Sequence, residues 1–347
     1  MATTTHNSSA ATDPRFSART GKLRPSPRRL LILLVLACSL VFSSCALGTG
    51  GGLSAKGTLA GPLAGIDLDN QSIAVGSKNF TEQLVLGKIA VILLKSAGAD
   101  VNDLTNIPGS SSARQALASG QIDFQWEYTG TGWISYLGHS DPITDPEKQY
   151  EAVRDEDLAK NQMVWLPPAP MNNTYGFSIT QKTKDRLGVT KLSDLAALPD
   201  SDLSFCVESE LNSRNDGFEP MAAKYGLALD RVQRKVLDTG AIYSATADGL
   251  CTFGEVFTTD GRIKALNLTV LDDDRHFFPN YNVSAVFRQK VYNKHPQQFD
   301  DLFAPVSKAL TNDALLEMNA EVDVQGREPA DVAYDWLVDQ GFLTKSK

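Results

Sequence analysis

Residues 72–77 read SIAVGS and residues 79–82 read NFTE. The first run is short, partly β-branched and bounded by polar residues, which marks a strand. In the second, Asn79 stands where a helix cap belongs and Glu82 follows three places later. The helix so opened runs to about Ala97, where Gly98 stops it. Residues 101–108 are extended again, residues 110–119 are helical up to Gly120, and residues 122–127 form a third strand. This strand–helix–strand–helix–strand order predicts a parallel sheet covered by helices.

The same order recurs downstream. Residues 183–187, 193–198 and 213–225 read as helices, the first two short and divided by Gly188. Residues 203–207, 232–237 and 251–257 read as strands, with a helix over 240–248 between the last two. Residues 175–180 and 281–287 are extended and lie between the two groups. The tail is helical at 296–310, 313–321 and 329–339. Two α/β lobes account for this order, each a mostly parallel sheet flanked by helices. Lobe 1 is discontinuous, residues 70–172 plus 280–347, and lobe 2 spans residues 176–272. The chain crosses between them at 173–175 and 273–279. One larger α/β domain is the alternative, because no sequence repeat marks the halves.

Upstream of residue 70 the chain changes character. A basic stretch ends in Arg28-Arg29, and 13 apolar residues follow from Leu30 to Phe42. That run is shorter than the roughly 20 residues a membrane-crossing helix needs. Basic, apolar, then small residues is the order of a secretory signal. The run closes Val41-Phe42-Ser43-Ser44-Cys45, which resembles a bacterial lipoprotein lipobox and implies cleavage before Cys45 and lipidation of its sulfur. Phe42 departs from the pattern, since leucine is usual three places before the cysteine. Cys38 is a rival with a shorter apolar run. An ordinary cleaved signal or an uncleaved anchor is the plain alternative. Residues 46–69, rich in Gly, Ala, Leu and Ser, read as a flexible tether.

The net charge of the 347 residues is −8, and the leader masks part of the acidity. Residues 1–44 hold six basic groups and one acid, leaving 27 basic and 40 acidic residues, a net of −13. That balance argues against nucleic acid as a partner. Two cysteines remain after the leader, Cys206 and Cys251. In an exported chain they are candidates for a disulfide; two inert buried thiols are the alternative. Their spacing, with no suitable histidine partner, does not make a zinc site.

Catalytic signatures are missing from the sequence: no G-x-S-x-G, P-loop, H-E-x-x-H or G-x-G-x-x-G occurs. The four histidines, His6, His139, His276 and His295, are far apart. Asp272-Asp273-Asp274 reads as a solvated turn before a metal site. No metal or cofactor is implied.

Four segments carry a stronger signal: Gly76-Ser77-Lys78-Asn79-Phe80-Thr81-Glu82-Gln83, Trp126-Glu127-Tyr128-Thr129-Gly130-Thr131-Gly132, Asn172-Asn173-Thr174-Tyr175-Gly176-Phe177, and residues 271–281, LDDDRHFFPNY. Together they resemble the substrate-binding proteins of osmoprotectant ABC importers, which take glycine betaine, choline, carnitine and related quaternary amines. The resemblance extends from Ser72 to Phe342. It implies a type II periplasmic-binding-protein-like clamshell without enzymatic activity, an ABC permease and its ATPase as partners, and an aromatic box around the ligand's ammonium group. Tyr128, Tyr175 and Tyr281 match box positions. Phe257 matches a fourth, where relatives often carry tyrosine. Arg214 matches an arginine that meets a ligand carboxylate, and Lys78 and Thr131 match supporting positions. Asn173 lies near the box. Taken singly, each has a plain packing or ion-pairing reading, with Glu208 or Asp216 as partners for Arg214. The resulting expectation is an exported, extracytoplasmic receptor, lipid-anchored to the outer face of the cytoplasmic membrane or periplasmic. A receptor for another cationic solute, and an exported α/β enzyme, are the alternatives.

Overall fold

The computed structural model describes residues 50–345. The leader, Cys38 and Cys45 lie outside them. The strands in chain order are β1 (Thr58–Leu59), β2 (Ser72–Lys78), β3 (Asp100–Ile107), β4 (Phe124–Tyr128), β5 (Met163–Trp165), β6 (Tyr175–Thr180), β7 (Ser204–Val207), β8 (Gln233–Val236), β9 (Phe253–Phe257), β10 (Leu268–Val270), β11 (Val283–Arg288) and β12 (Leu343–Thr344). The main helices are α1 (Thr81–Ser96), α2 (Ser110–Ser119), α3 (Pro146–Asn161), α4 (Gln181–Leu187), α5 (Ser209–Ser213), α6 (Phe218–Tyr225), α7 (Thr239–Ala247), α8 (Pro296–Ala309), α9 (Asn312–Asp323) and α10 (Pro329–Asp339). No helix among the described residues is long and apolar enough to cross a membrane.

Ten of the strands form two five-stranded sheets, ordered β3-β2-β4-β11-β5 and β8-β7-β9-β6-β10. Written this way, the two have one layout. Three strands run parallel, the fourth is reversed against both neighbours, and the fifth returns to the first direction. The repeat is one of topology, which sequence comparison of the halves did not reveal. The chain passes between the sheets twice, from β5 to β6 and from β10 to β11. In each case the first strand after the passage is the reversed one.

α1 is apolar on almost every side and is buried accordingly, between β2 and β3 on one side and α9 and α10 on the other. Val85, Leu86, Ile89, Val91, Ile92, Leu93 and Leu94 are all fully buried. Each stabilises the fold by about 1.5–3 kcal/mol relative to exposure. Gly87 lets the helix lie close to the sheet, since a Cβ there would stand 2.8 Å from Thr105 and 2.9 Å from Ser77. The one buried cation of the helix, Lys88, is met by Asp103 at 2.8 Å.

Three expectations need correction. Asn79 does not cap α1: the cap position is Phe80, with no side-chain hydrogen bond, and the Asn79 Oδ1 accepts from the Gly109 N–H at 3.4 Å. Glu82 closes no capping box either, because buried donors from elsewhere in the fold claim its carboxylate. The tether ends well before residue 69. β1 pairs with β12, and Leu59, Leu63 and Leu68 are buried, so apolar packing holds this stretch against the first lobe's helices and C-terminal strand. Of the helix expected over 213–225 only the part from Phe218 forms, as α6; α5 ends at Ser213 and the backbone at Arg214 is extended.

Cys206 and Cys251 are joined in a disulfide, S–S 2.00 Å and Cα–Cα 5.7 Å, beside Ile242 in a small buried cluster of the second sheet. Closing a loop of 45 residues contributes up to about 4 kcal/mol by restricting the unfolded chain.

Candidate functional site

A cavity of about 500 Å³ lies between the two sheets, within the ordinary range for small-molecule sites. Lys78, Tyr128, Thr131, Tyr175, Phe257 and Tyr281 all line it, along with Phe80 and Asn173. β4 delivers Tyr128 at its C-terminal end, and the helical turn Thr129–Thr131 follows directly. Gly130 is required in that turn, since a Cβ would stand 2.7 Å from the Asn280 carbonyl and 2.8 Å from the Tyr281 ring. Tyr175 and Phe257 face each other across the antiparallel β6–β9 pair. Tyr281 precedes β11, and its N–H donates to the Asn172 Oδ1 at 2.7 Å. Asp273 accepts the N–H groups of Phe277 and Phe278, each at 3.0 Å, and so shapes the turn leading there.

The rings form a continuous series. Centroid separations are 6.3 Å from Tyr128 to Phe80, 5.0 Å from Phe80 to Phe257, 5.2 Å from Phe257 to Tyr175 and 5.4 Å from Tyr175 to Tyr281. Phe80 therefore belongs to the aromatic wall. Sequence reading missed it as a site residue, although it lies inside the quoted segment 76–83.

Behind the rings stand carboxylates. Tyr128 donates its hydroxyl to Glu82 Oε1 at 2.7 Å, and Tyr281 donates its own to Asp216. Burial, reinforced by the neighbouring acid, pushes both phenols well above their usual range, so both stay protonated at neutral pH. Glu82 is fully enclosed and accepts from four groups: Tyr128, Asn173 Nδ2 at 2.9 Å, Thr259 Oγ1 at 2.5 Å and Asn319 Nδ2 at 3.2 Å. Burial raises its carboxyl above the ordinary value, against the opposing pull of those hydrogen bonds.

The cations are occupied. Arg214 does not line the cavity. It forms a fork with Asp216, Nε–Oδ1 and Nη2–Oδ2 both at 2.6 Å, and reaches Glu210 at 2.9 Å. It stacks behind the box instead, 5.5 Å from the Tyr175 centroid and 6.0 Å from that of Tyr281. A ligand carboxylate would have to displace one of these acids to reach it. Lys78 is bound to Glu127 at 2.7 Å while lying 4.9 Å from the Tyr128 centroid. Arg262, also on the wall, is held by Asp260. Three acids that sequence reading did not place at the site, Glu208, Glu210 and Asp238, also line it. Their positions gave no signal, because only the loop ends of the second sheet bring them to the cavity. The arrangement offers π faces and negative charge to a small cation.

Residues 71–339 match the family model described as the substrate binding domain of ABC-type glycine betaine transport systems. The chain belongs to this family. Among curated relatives, the glycine-betaine-binding protein of Pseudomonas aeruginosa is 37% identical over 281 residues, covering 79% of this chain and 89% of that one. The carnitine transport binding protein OpuCC of Listeria monocytogenes is 27% identical over 317 residues, covering 90% and 96%. Among solved structures, a glycine betaine/carnitine/choline ABC transporter protein aligns with TM-score 0.65 at 25% identity, covering 79% of this chain and 99% of that one. As a glycine-betaine-type substrate-binding domain, the chain has the type II binding-protein fold, and its cavity lies where the two α/β sheets meet.

Proposed function

We propose that the protein is an extracytoplasmic receptor, lipid-anchored through Cys45, that captures glycine betaine or a related quaternary amine and delivers it to an ABC permease driven by a cytoplasmic ATPase. It catalyses nothing. The reading rests on one observation: Tyr128, Tyr175, Phe257 and Tyr281, from both sheets and the passages between them, border one cavity. A trimethylammonium group has charge but no N–H, so hydrogen bonds cannot recognise it, whereas aromatic faces supply negative potential and apolar contact together. Each face contributes about 0.5–2 kcal/mol, so four supply much of the roughly −8 kcal/mol of a micromolar complex. A ligand touching both lobes favours their closed arrangement by differential affinity, with residues 173–175 and 273–279 as the hinge.

The acids Glu208, Glu210 and Asp238 on the wall favour a second reading, a receptor for a cation with N–H groups such as a polyamine. Calorimetric titration of the purified protein with glycine betaine, proline betaine, choline, carnitine, ectoine and spermidine separates the two. Binding of a quaternary amine in the micromolar range or tighter supports the first; binding of spermidine alone replaces it with the second. Mass spectrometry of the mature N-terminus checks the anchor, with a diacylglyceryl group on Cys45 as the expected result.

A further inference from the structure

Two of the three box tyrosines hand their hydroxyl protons toward buried carboxylates, but the carboxylates differ. Asp216 is neutralised by the Arg214 fork. Glu82 has no such partner: among the described residues no Lys, Arg or His pairs with it. Its acceptors are filled by four neutral donors. Asn319 shares its Nδ2 between Glu82 and the Thr259 carbonyl at 3.0 Å, and Asn173 accepts the Thr259 N–H through its Oδ1 at 3.3 Å. Both amides are thereby fixed with their NH₂ groups toward the carboxylate. Four donors on two oxygens is the full complement of an ionised carboxylate. Ringed in this way, Glu82 is a buried carboxylate solvated by fixed dipoles, with no cationic partner among the described residues.

We infer that Glu82 is the positioning residue that makes the box select for positive charge: it draws on the Tyr128 hydroxyl to enrich that ring, and the ligand's ammonium group is its missing counter-ion. The inference rests on the receptor reading above and deepens it. A hydrogen bond from a phenol to a carboxylate shifts electron density into the ring, which strengthens cation–π attraction. An uncompensated buried carboxylate also carries a desolvation penalty that an incoming cation relieves. The geometry places Glu82 close enough for both. A small void bordered by Glu82 and Thr259 adjoins the main cavity, and Phe80, Asn173 and Phe257 border both. Of the other charges nearby, Lys78 pairs with Glu127 beside the Tyr128 ring, and Arg262 pairs with Asp260 and Asp323 beyond the void.

The test compares choline with 3,3-dimethylbutan-1-ol, its uncharged tert-butyl counterpart, on wild type, Glu82→Gln and Tyr128→Phe by calorimetric titration. Glu82→Gln keeps size and removes charge; Tyr128→Phe keeps the ring and cuts its link to Glu82. Choline affinity should fall about tenfold or more in Glu82→Gln and by a smaller but clear factor in Tyr128→Phe, while the neutral alcohol changes by less than about twofold. Proportionate losses for both ligands would make Glu82 merely structural and overturn the inference. So would wild-type choline affinity in either variant, and Tyr128→Phe decides alone if Glu82→Gln does not fold. Wild-type protein that binds no quaternary amine breaks the receptor reading itself, and this inference with it.

Discussion

The two sides of the cavity bury negative charge differently. On the side of β11, Asp216 faces a guanidinium and Tyr281 closes the group. On the side of α1, Glu82 faces only amides and hydroxyls. The first unit is self-sufficient and braces the wall. The second is complete in hydrogen bonds and incomplete in charge. A third carboxylate, Glu255, marks the limit of the series. One of its oxygens accepts the Glu208 N–H at 2.6 Å and the other has no hydrogen-bond partner among the described residues. Burial, then the neighbouring Glu208, push its carboxyl well above the usual range, toward the protonated form.

The comparison can be broken most decisively at Asp216. Asp216→Asn strands the buried Arg214 with Glu210 as its remaining partner, and denaturant unfolding should show a loss of about 3 kcal/mol. An unchanged midpoint would mean that the pair braces nothing. Tyr128→Ala and Tyr281→Ala should each weaken betaine binding by about tenfold or more, a loss near 1.4 kcal/mol, titrated where circular dichroism shows the variants folded. Wild-type affinity in both would remove the box. Glu82→Gln strands no cation but turns an amide NH2 toward donors the carboxylate had accepted, so its unfolding free energy should fall by about 1–2 kcal/mol, less than that of Asp216→Asn. A loss as large as that of Asp216→Asn would erase the distinction between the two sides.

The smallest effect concerns Glu255. Its folded-state pKa lies above its unfolded value, so the folded protein holds this proton more tightly than the unfolded chain. Glu255 therefore lowers stability progressively as pH rises from the ordinary carboxyl range toward its raised folded value. Glu208, Glu210 and Arg214 are the charged groups facing it. The melting temperature of wild type relative to Glu255→Gln should decline over that window, and a pH-independent difference would show that Glu255 does not titrate there.

Much of this could be read from the residues. Element order located eight of the ten sheet strands and their division into two sets, because short apolar runs and glycine stops are local signals; the three-residue strands β5 and β10 were too short to register. The family segments pointed to Tyr128, Tyr175, Phe257 and Tyr281, which the fold brings to one cavity. What stayed hidden was tertiary. Asn79-Phe80-Thr81-Glu82 has the local form of a capping box, yet four donors from distant segments outcompete the helix terminus for Glu82. For Arg214 the sequence left a ligand carboxylate and an ion pair with Glu208 or Asp216 both open; the fold settles it on Asp216, with Glu210 as a second partner the sequence did not suggest. The run from residue 46 looked like a tether because its composition is small and aperiodic; the partner of β1 lies almost three hundred residues away, at the other end of the chain.

The reversed strand of the first sheet has one more consequence. β11 sits between β4 and β5, but it arrives from residues 283–288, after the second sheet has received its last strand at Val270. On a ribosome, where domains fold as they emerge, the later half of the fold has all its strands before the earlier half does. Until then the nascent first half presents two unpaired strand borders, a state in which escorting chaperones and prompt export would matter most.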